Sequence, residues 1–379
     1  MAIGQGAHKP CLLAFGADQF DAQDPQELKS RSSFFNWWYF GLCAGPLAAL
    51  LVLNYIQDNI SWGIGFGIPC IAMAIALAIF MLGTNSYRYH IKTDQKRALS
   101  RVSQVFIKAA MNWRVIPSTS VYNDEEQDTR DTVPHLRPRQ FNWQHARDRR
   151  GKSTCQPSTL FTKQGITMDR SIGSTFDVPA ASLQYIIGVT IILFIPTYDR
   201  VFVPLARIIT GTPTGITKLQ RIGTGLFLCT LSIITAALVE RKRLKVALSY
   251  GLADSPNAKV PMSFWWLIPQ YIIYGIADVF TLIGLQELFY DQMPCGLKAV
   301  GLSIYLSILG VGSFLSSFLI YTIQRVTSEG GEEGWFSDNT NRAHLDYFYW
   351  LLGGLNVICF LGFLYYAKCF NCTGNMGEA

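Results

Sequence analysis

Apolar residues in this chain are gathered into blocks of about 20 separated by short polar links, the length a helix needs to cross bilayer hydrocarbon. They are not spread at helix or strand period around a water-soluble core. Charged residues make up 15% of the 379, against roughly 25% in soluble domains. Spans are expected at Ser33 to Ile56, Trp62 to Leu82, Ala180 to Ile208, Leu219 to Val239, Phe264 to Leu288, Ala299 to Ile323 and Tyr347 to Ala367. Several contain Pro or Gly (Pro46, Pro69, Pro196, Pro269, Gly310, Gly312), tolerated in a membrane bundle either as bends or as sites of close helix packing.

The nine cysteines do not read as a disulfide framework, since Cys43, Cys70, Cys229 and Cys359 sit singly inside apolar blocks as small hydrophobes. Cys369 and Cys372 read as a juxtamembrane pair, open to palmitoylation, rather than a metal or redox site. Neither a basic leader nor a sustained apolar stretch follows Met1, so no cleavable signal peptide is expected.

Between Arg88 and Lys152 lie 14 Lys and Arg against 7 Asp and Glu, a surplus of seven in a chain whose net charge is +6. Beside membrane helices this reads as a cytoplasmic loop by the positive-inside rule, ahead of any nucleic-acid or anionic-lipid patch. The link Gln57 to Ser61 has no Lys or Arg and suits the other face; its Asn59-Ile60-Ser61 sequon lies close to the membrane. The link Arg200 to Arg221 is also basic, yet one full span separates it from the central loop. Either a helix between Lys152 and Ala180 is missing or degraded, or the second link is outside, which the run Arg241 to Lys245 after the next span would suit.

The chain opens with His8-Lys9-Pro10-Cys11, then Phe15-Gly16-Ala17-Asp18-Gln19-Phe20-Asp21, then Ser32-Ser33-Phe34-Phe35-Asn36-Trp37. This order resembles the plant nitrate/peptide transporter family, a branch of the proton-coupled oligopeptide transporters within the major facilitator superfamily. The resemblance continues through Gly63-Ile64-Gly65-Phe66-Gly67-Ile68-Pro69, Phe161-Thr162-Lys163-Gln164-Gly165, Pro179-Ala180-Ala181-Ser182-Leu183-Gln184, Leu219-Gln220-Arg221-Ile222-Gly223 and Ile268-Pro269-Gln270-Tyr271.

The resemblance implies an all-α membrane protein with two six-helix halves and a substrate site between them. On that map the chain is a partial bundle of the expected twelve helices, with about seven full transmembrane helices and a helix-four remnant. Residues 1–87 would hold the end of helix four with helices five and six; 88–157 the basic loop with a corrupted seventh helix; 158–368 the C-terminal half; 369–379 a tail. The acidic motif of helix one, tied to proton coupling in the family, would lie outside the chain. Where the family has an apolar seventh helix, this sequence has Pro138-Arg139-Gln140-Phe141-Asn142-Trp143 and Arg147-Asp148-Arg149-Arg150. Each such charge costs on the order of 2.5 to 3.5 kcal/mol at mid-helix, so the stretch should not insert; a gene-model error is one natural cause.

Two ionisable residues are the coupling candidates: the resemblance puts Lys9 at the family's cavity-facing position on helix four, and Asp278 at an acidic position of helix ten that is more often Glu. A Lys and a carboxylate facing each other could pair when one gate is shut and separate when a proton or substrate competes; the alternatives are a snorkelling Lys9 and an Asp278 that caps backbone at a bend. Glu287, nine residues beyond Asp278, ranks below it as a structural or gate carboxylate. Tyr39 and Gln270 are gate or cavity candidates, although Tyr39, Trp265 and Trp266 also suit core packing or an interfacial belt. Asp169-Arg170 and Asp199-Arg200 read as intramolecular or membrane-boundary charge pairs rather than substrate contacts. Cys43 departs from the Asn common at its place in the family.

The resemblance implies a secondary transporter moving nitrate, small peptides or a related small solute with protons, in the plasma or vacuolar membrane, with the lipid bilayer as surroundings. The competing expectation is a non-transporting fragment, associating with full-length homologues or existing only as a gene model. No enzyme, cofactor, metal or nucleic-acid role is expected: HExxH, GxSxG and Gly-rich phosphate loops do not occur, and the five histidines are scattered.

Overall fold

A computed structural model describes residues 2–21, 24–88, 157–172, 176–211, 215–255, 258–294, 297–328, 334–337 and 339–376. The basic loop and altered seventh helix expected at 88–157 lie, beyond Arg88 and before Pro157, outside the described residues. So does the tail beyond Met376.

The described chain is helical nearly throughout. The helices are α1 (Ala2–Ala17), α2 (Pro25–Asn59), α3 (Trp62–Leu82), α4 (Pro157–Ile166), α5 (Tyr185–Thr197), α6 (Val203–Thr210), α7 (Lys218–Ser249), α8 (Ile268–Gln292), α9 (Lys298–Thr327) and α10 (Leu345–Met376). A five-residue π turn, Tyr198–Phe202, joins α5 to α6. Local sequence explains several boundaries. Asp24 caps α2 by accepting from Gln26 N at 2.8 Å, with Pro25 in the first turn where its missing N–H costs nothing. Thr217 and Gln220 form a reciprocal capping box at the start of α7. Gly211, at φ +67°, ends α6 in the left-handed conformation that glycine adopts freely.

Among the described residues six stretches are long and apolar enough to cross a membrane: Gly63–Asn85, Ala180–Thr210, Lys218–Ser249, Phe264–Gln292, Lys298–Thr327 and Leu345–Cys369. They coincide with six of the seven expected spans; the remaining one, Ser33 to Ile56, lies inside the 35-residue α2. Helix α3 leaves Ile64, Phe66, Ile71, Met73, Leu77 and Ile79 exposed, and α9 leaves Val311, Phe314, Leu315 and Phe318 so. Lipid, not water, is the solvent such faces suit. The chain is therefore a multi-pass α-helical membrane protein.

Helix α7 packs along α8 and α10; α5 and α9 also rest on α8, α1 packs on α9, and α2 on α5. Two cores result. One joins α1 and α2 to the later helices through Leu13, Ala17, Phe35, Tyr39, Ile195, Ile283 and Tyr290. The other lies within the later part, around Phe161, Met168, Leu267, Tyr271 and Phe348. Beside it Met168–Asp169 pairs in parallel with Val260–Ser263, and Ser171–Ile172 pairs antiparallel with Phe176–Asp177.

Two expectations change. The span expected to stop at Val239 continues to Ser249, because Glu240 and Arg243, both fully buried, neutralise each other one turn apart. The topological puzzle also resolves. Arg88 binds Gln19 and Glu27, Asp199 binds α2, and Lys218 pairs with Asp291, so Arg88, the last described residue before the central loop, lies at the same end of the bundle as the second basic link. Thr167, just past α4, reaches Arg243 at the opposite end. The second basic link is therefore not on the face opposite Arg88.

Candidate functional site

Asp278 is the natural starting point, because a carboxylate in the middle of a membrane helix is costly unless used. It is half-buried on α8, between the two cores. Tyr39 and Cys43 of α2, Cys229 of α7, Tyr274 of α8 and Tyr305 of α9 all lie within its electrostatic reach. Four helices thus converge on one carboxyl group. Among the described residues no cation pairs with it.

Of the expected site residues, Tyr39 is brought to Asp278: it is 7% exposed and hydrogen-bonded to Cys43 one turn on. The departure at Cys43 therefore lies within the electrostatic reach of the carboxylate. Lys9, on α1, is exposed at the mouth of a small cavity of about 30 Å3, which Leu13, Trp38, Gln286 and Tyr305 also line. It makes no ion pair with Asp278 among the described residues. Tyr305 nevertheless borders both groups, lining the Lys9 cavity, lying near Asp278 and accepting from Gln286 Nε2 at 3.4 Å. It went unnoticed in the sequence, where one tyrosine in an apolar helix carries no signal.

Gln270 sits elsewhere. It is fully buried in the second core, donating to Gln164 Oε1 at 3.1 Å while its backbone carbonyl accepts from Ser232. Eight residues before Asp278 on the same helix, it lies about 12 Å along the axis. Its immediate role there is to hold α4, α7 and α8 together. Trp265 and Trp266 are exposed, with the Lys242 ammonium 3.3 Å from the Trp266 ring centre, as suits an interfacial belt.

Glu287 belongs to a different assembly. It is 6% exposed and pairs with Arg221 of α7 at 3.6 Å; Arg221 donates to Asn36 Oδ1 at 2.7 Å and lies over the Tyr198 ring at 4.7 Å. Asn36 in turn donates to Asp199 at 2.9 Å, and Ser33 and Trp37 donate to the same carboxylate. Nearby, Asp291 binds Arg31 at 2.8 Å and also Lys218, while Asp18 accepts from Tyr290 at 2.6 Å and pairs with Lys298 at 3.0 Å. Each chain of contacts ties α2, or the turn before it, to α7, α8, α9 or the π turn. They form a latch between the early and late parts of the bundle.

Asp199 and Asp169 find their hydrogen-bond donors beyond the adjacent arginines. Asp199 takes three donors from α2; Arg200 lies 5.9 Å from the Trp37 ring centre. Asp169 accepts from Ser171, which holds its carboxyl below the usual carboxylate range, and Arg170 donates to the Val178 carbonyl. At the base of the latch Arg88 donates twice to Glu27, and these bonds, with the Asp21 amide, hold the Glu27 carboxyl low as well.

The family model described as the POT family matches residues 1–138 and 154–336. The chain belongs to the POT family. Among curated relatives, Protein NRT1/ PTR FAMILY 5.10 of Arabidopsis thaliana is 49% identical over 98% of this chain and 71% of its own length. Protein NRT1/ PTR FAMILY 5.12 of the same plant is 47% identical over the same shares. A solved chain of an auto inhibited POT family peptide transporter is similar at TM-score 0.48 and 17% identity, covering 95% of this chain and 74% of that one. The match to the POT family breaks over 139–153, the segment containing Arg147-Asp148-Arg149-Arg150. Membership in a transporter family makes this a transport protein, not an enzyme, and gives the convergence of helices on Asp278 its functional setting.

Proposed function

We propose that this POT-family chain is a secondary active transporter that moves a small solute, of the nitrate or small-peptide class, together with protons across a plasma or vacuolar membrane. The observation that carries the reading is Asp278: one intramembrane carboxylate, without a cation partner among the described residues, at the meeting point of α2, α7, α8 and α9. A carboxylate so placed can take up a proton from one side and lose it to the other as the surrounding helices rearrange. Lys9 is its counter-charge in the alternate arrangement, with Tyr305 on the path between them. The latch end, carrying Arg31, Arg88, Arg207, Lys218 and Arg221, faces the cytoplasm by the positive-inside rule.

The test is uptake by protein reconstituted in liposomes under an imposed pH gradient, with nitrate and a dipeptide as probes. Gradient-dependent uptake is expected, and Asp278→Asn or Lys9→Ala should abolish it while leaving membrane insertion intact. Normal transport by both variants would remove the pair as the coupling device. Absence of uptake by the parent chain would favour a second reading, a member that inserts without carrying, motivated by the family break over 139–153.

A further inference from the structure

A cavity of about 300 Å3 opens at the latch end, between the start of α2 and the link that joins α5 to α7. Lys29, Arg207, Lys218 and Arg221 line it, against the carboxylates Asp199 and Glu287. The carboxylates are already committed. Asp199 receives Ser33, Asn36 and Trp37, and Glu287 faces Arg221. Lys218 is engaged by Asp291. Lys29 and Arg207, both half-buried, are left without an ion-pair partner among the described residues.

Hydrogen bonding gives the same imbalance. Arg221 is 3% exposed, yet its Nε–H has no acceptor, and neither has the buried Nε–H of Arg207. A buried cationic donor without an acceptor is unfavourable, and two around one cavity call for an acceptor inside it. Arg243, the other deeply buried arginine, shows the contrast: Nε, Nη1 and Nη2 all have partners.

We infer that this cavity binds an oxyanion of the phosphate class, held by Lys29 from α2, Arg207 from α6 and Arg221 from α7. Guanidinium groups match tetrahedral oxyanions through paired, charge-assisted hydrogen bonds, and the lysine adds a point charge. Because Lys29 belongs to the early part of the bundle and the arginines to the late part, the anion bridges the two and favours the latched arrangement. The inference does not depend on which solute is carried. The phosphate group has two sources, free inorganic phosphate or the phosphoester of an anionic lipid at the membrane surface.

Purified protein in nanodiscs of neutral lipid is titrated with inorganic phosphate by calorimetry. In parallel, protein exchanged into phosphatidylglycerol and then stripped with neutral detergent is weighed intact by native mass spectrometry. Saturable binding of phosphate alone identifies the free ion; retention of phosphatidylglycerol alone identifies the headgroup; either supports the site, as do both. Lys29→Gln and Arg207→Gln should each weaken the bound species about tenfold, the scale of one lost charge-assisted hydrogen bond. Lys242→Gln, which removes a cation over the Trp266 ring at the opposite end of the bundle, should leave binding unchanged. The proposal is overturned if neither probe binds, if both cavity variants bind as the parent does, or if Lys242→Gln weakens binding as much as they do. Two separate cavity variants keep the test decisive should one of them fail to fold.

Discussion

Gly225 shows what a single residue can control in this bundle. It lies where α7 meets α8, and a Cβ there would stand 2.7 Å from the Thr281 backbone nitrogen and 3.0 Å from the Ala277 carbonyl oxygen. Backbone cannot give way as a side chain can, so Gly225→Ala must push the helices apart. The expected loss is about 1–3 kcal/mol, read as a lower unfolding midpoint in detergent. Gly353→Ala is the control: its nearest neighbour would be an Ile233 methyl at 3.7 Å, ordinary contact. Equal midpoints for the two variants would mean that α7 and α8 are not held as closely as described. The separation matters for function, because Ala277 and Thr281 flank Asp278, and displacing α8 displaces the carboxylate on which the proposed coupling rests.

At the scale of elements, the far end of α7 is held by Arg243. Its Nε and Nη2 donate to Glu240 at 2.9 and 2.6 Å, Nη1 to Thr167 and Asn341, and Nη2 also to the Thr340 carbonyl. Asn341 in turn reaches the carbonyls of Leu252, Ser255 and Ala258. Arg243→Met should destabilise by about 3–5 kcal/mol, since it strands a buried Glu240, whereas the double variant with Glu240→Leu should recover much of the loss. Thermal unfolding of the solubilised protein measures both. If the double variant is no better than the single, the tether to the loop at Thr340 and Asn341, rather than charge balance, is what Arg243 supplies. This element also marks the limit of what the sequence revealed. Hydropathy located the spans because the rule behind it acts locally, on about 20 consecutive residues. It ended α7 at Val239 because Glu240 to Lys245 look like solvated charges until residues about 100 positions away cover them. Asp278 was visible as an intramembrane carboxylate and Tyr39 as a candidate cavity aromatic, but nothing in the sequence placed the two together. The donors to Asp199 could not be named from the sequence, since Ser33 and Asn36 lie 166 and 163 residues earlier.

For the whole molecule, the proposed transport cycle makes the latch the contact that must open at its end. Asp291 receives Arg31 and Lys218, and Asp18 receives Lys298 and Tyr290, so four side chains converge on two carboxylates across the seam between early and late helices. Beneath them Ala17, Ile283 and Tyr290 are fully buried. Arg31, 6% exposed, would be left with no carboxylate by Asp291→Asn, and an uncompensated buried cation favours whatever arrangement lets water reach it. Each lost charged hydrogen bond is worth about 1.5–3 kcal/mol, enough to shift a two-arrangement equilibrium tenfold or more. Asp291→Asn and Asp18→Asn should therefore each speed the labelling of a cysteine placed at Ala17 by a membrane-impermeant maleimide. The background for this measurement has Cys11, Cys70, Cys359 and Cys369, all exposed, replaced by Ser. The carboxylates serve different cations, so the accelerations should multiply in the double variant. Unchanged labelling in all three would mean that the apolar core around Phe35, Ile283 and Tyr290 keeps this end shut by itself. The ion pairs would then only align helices that packing already holds.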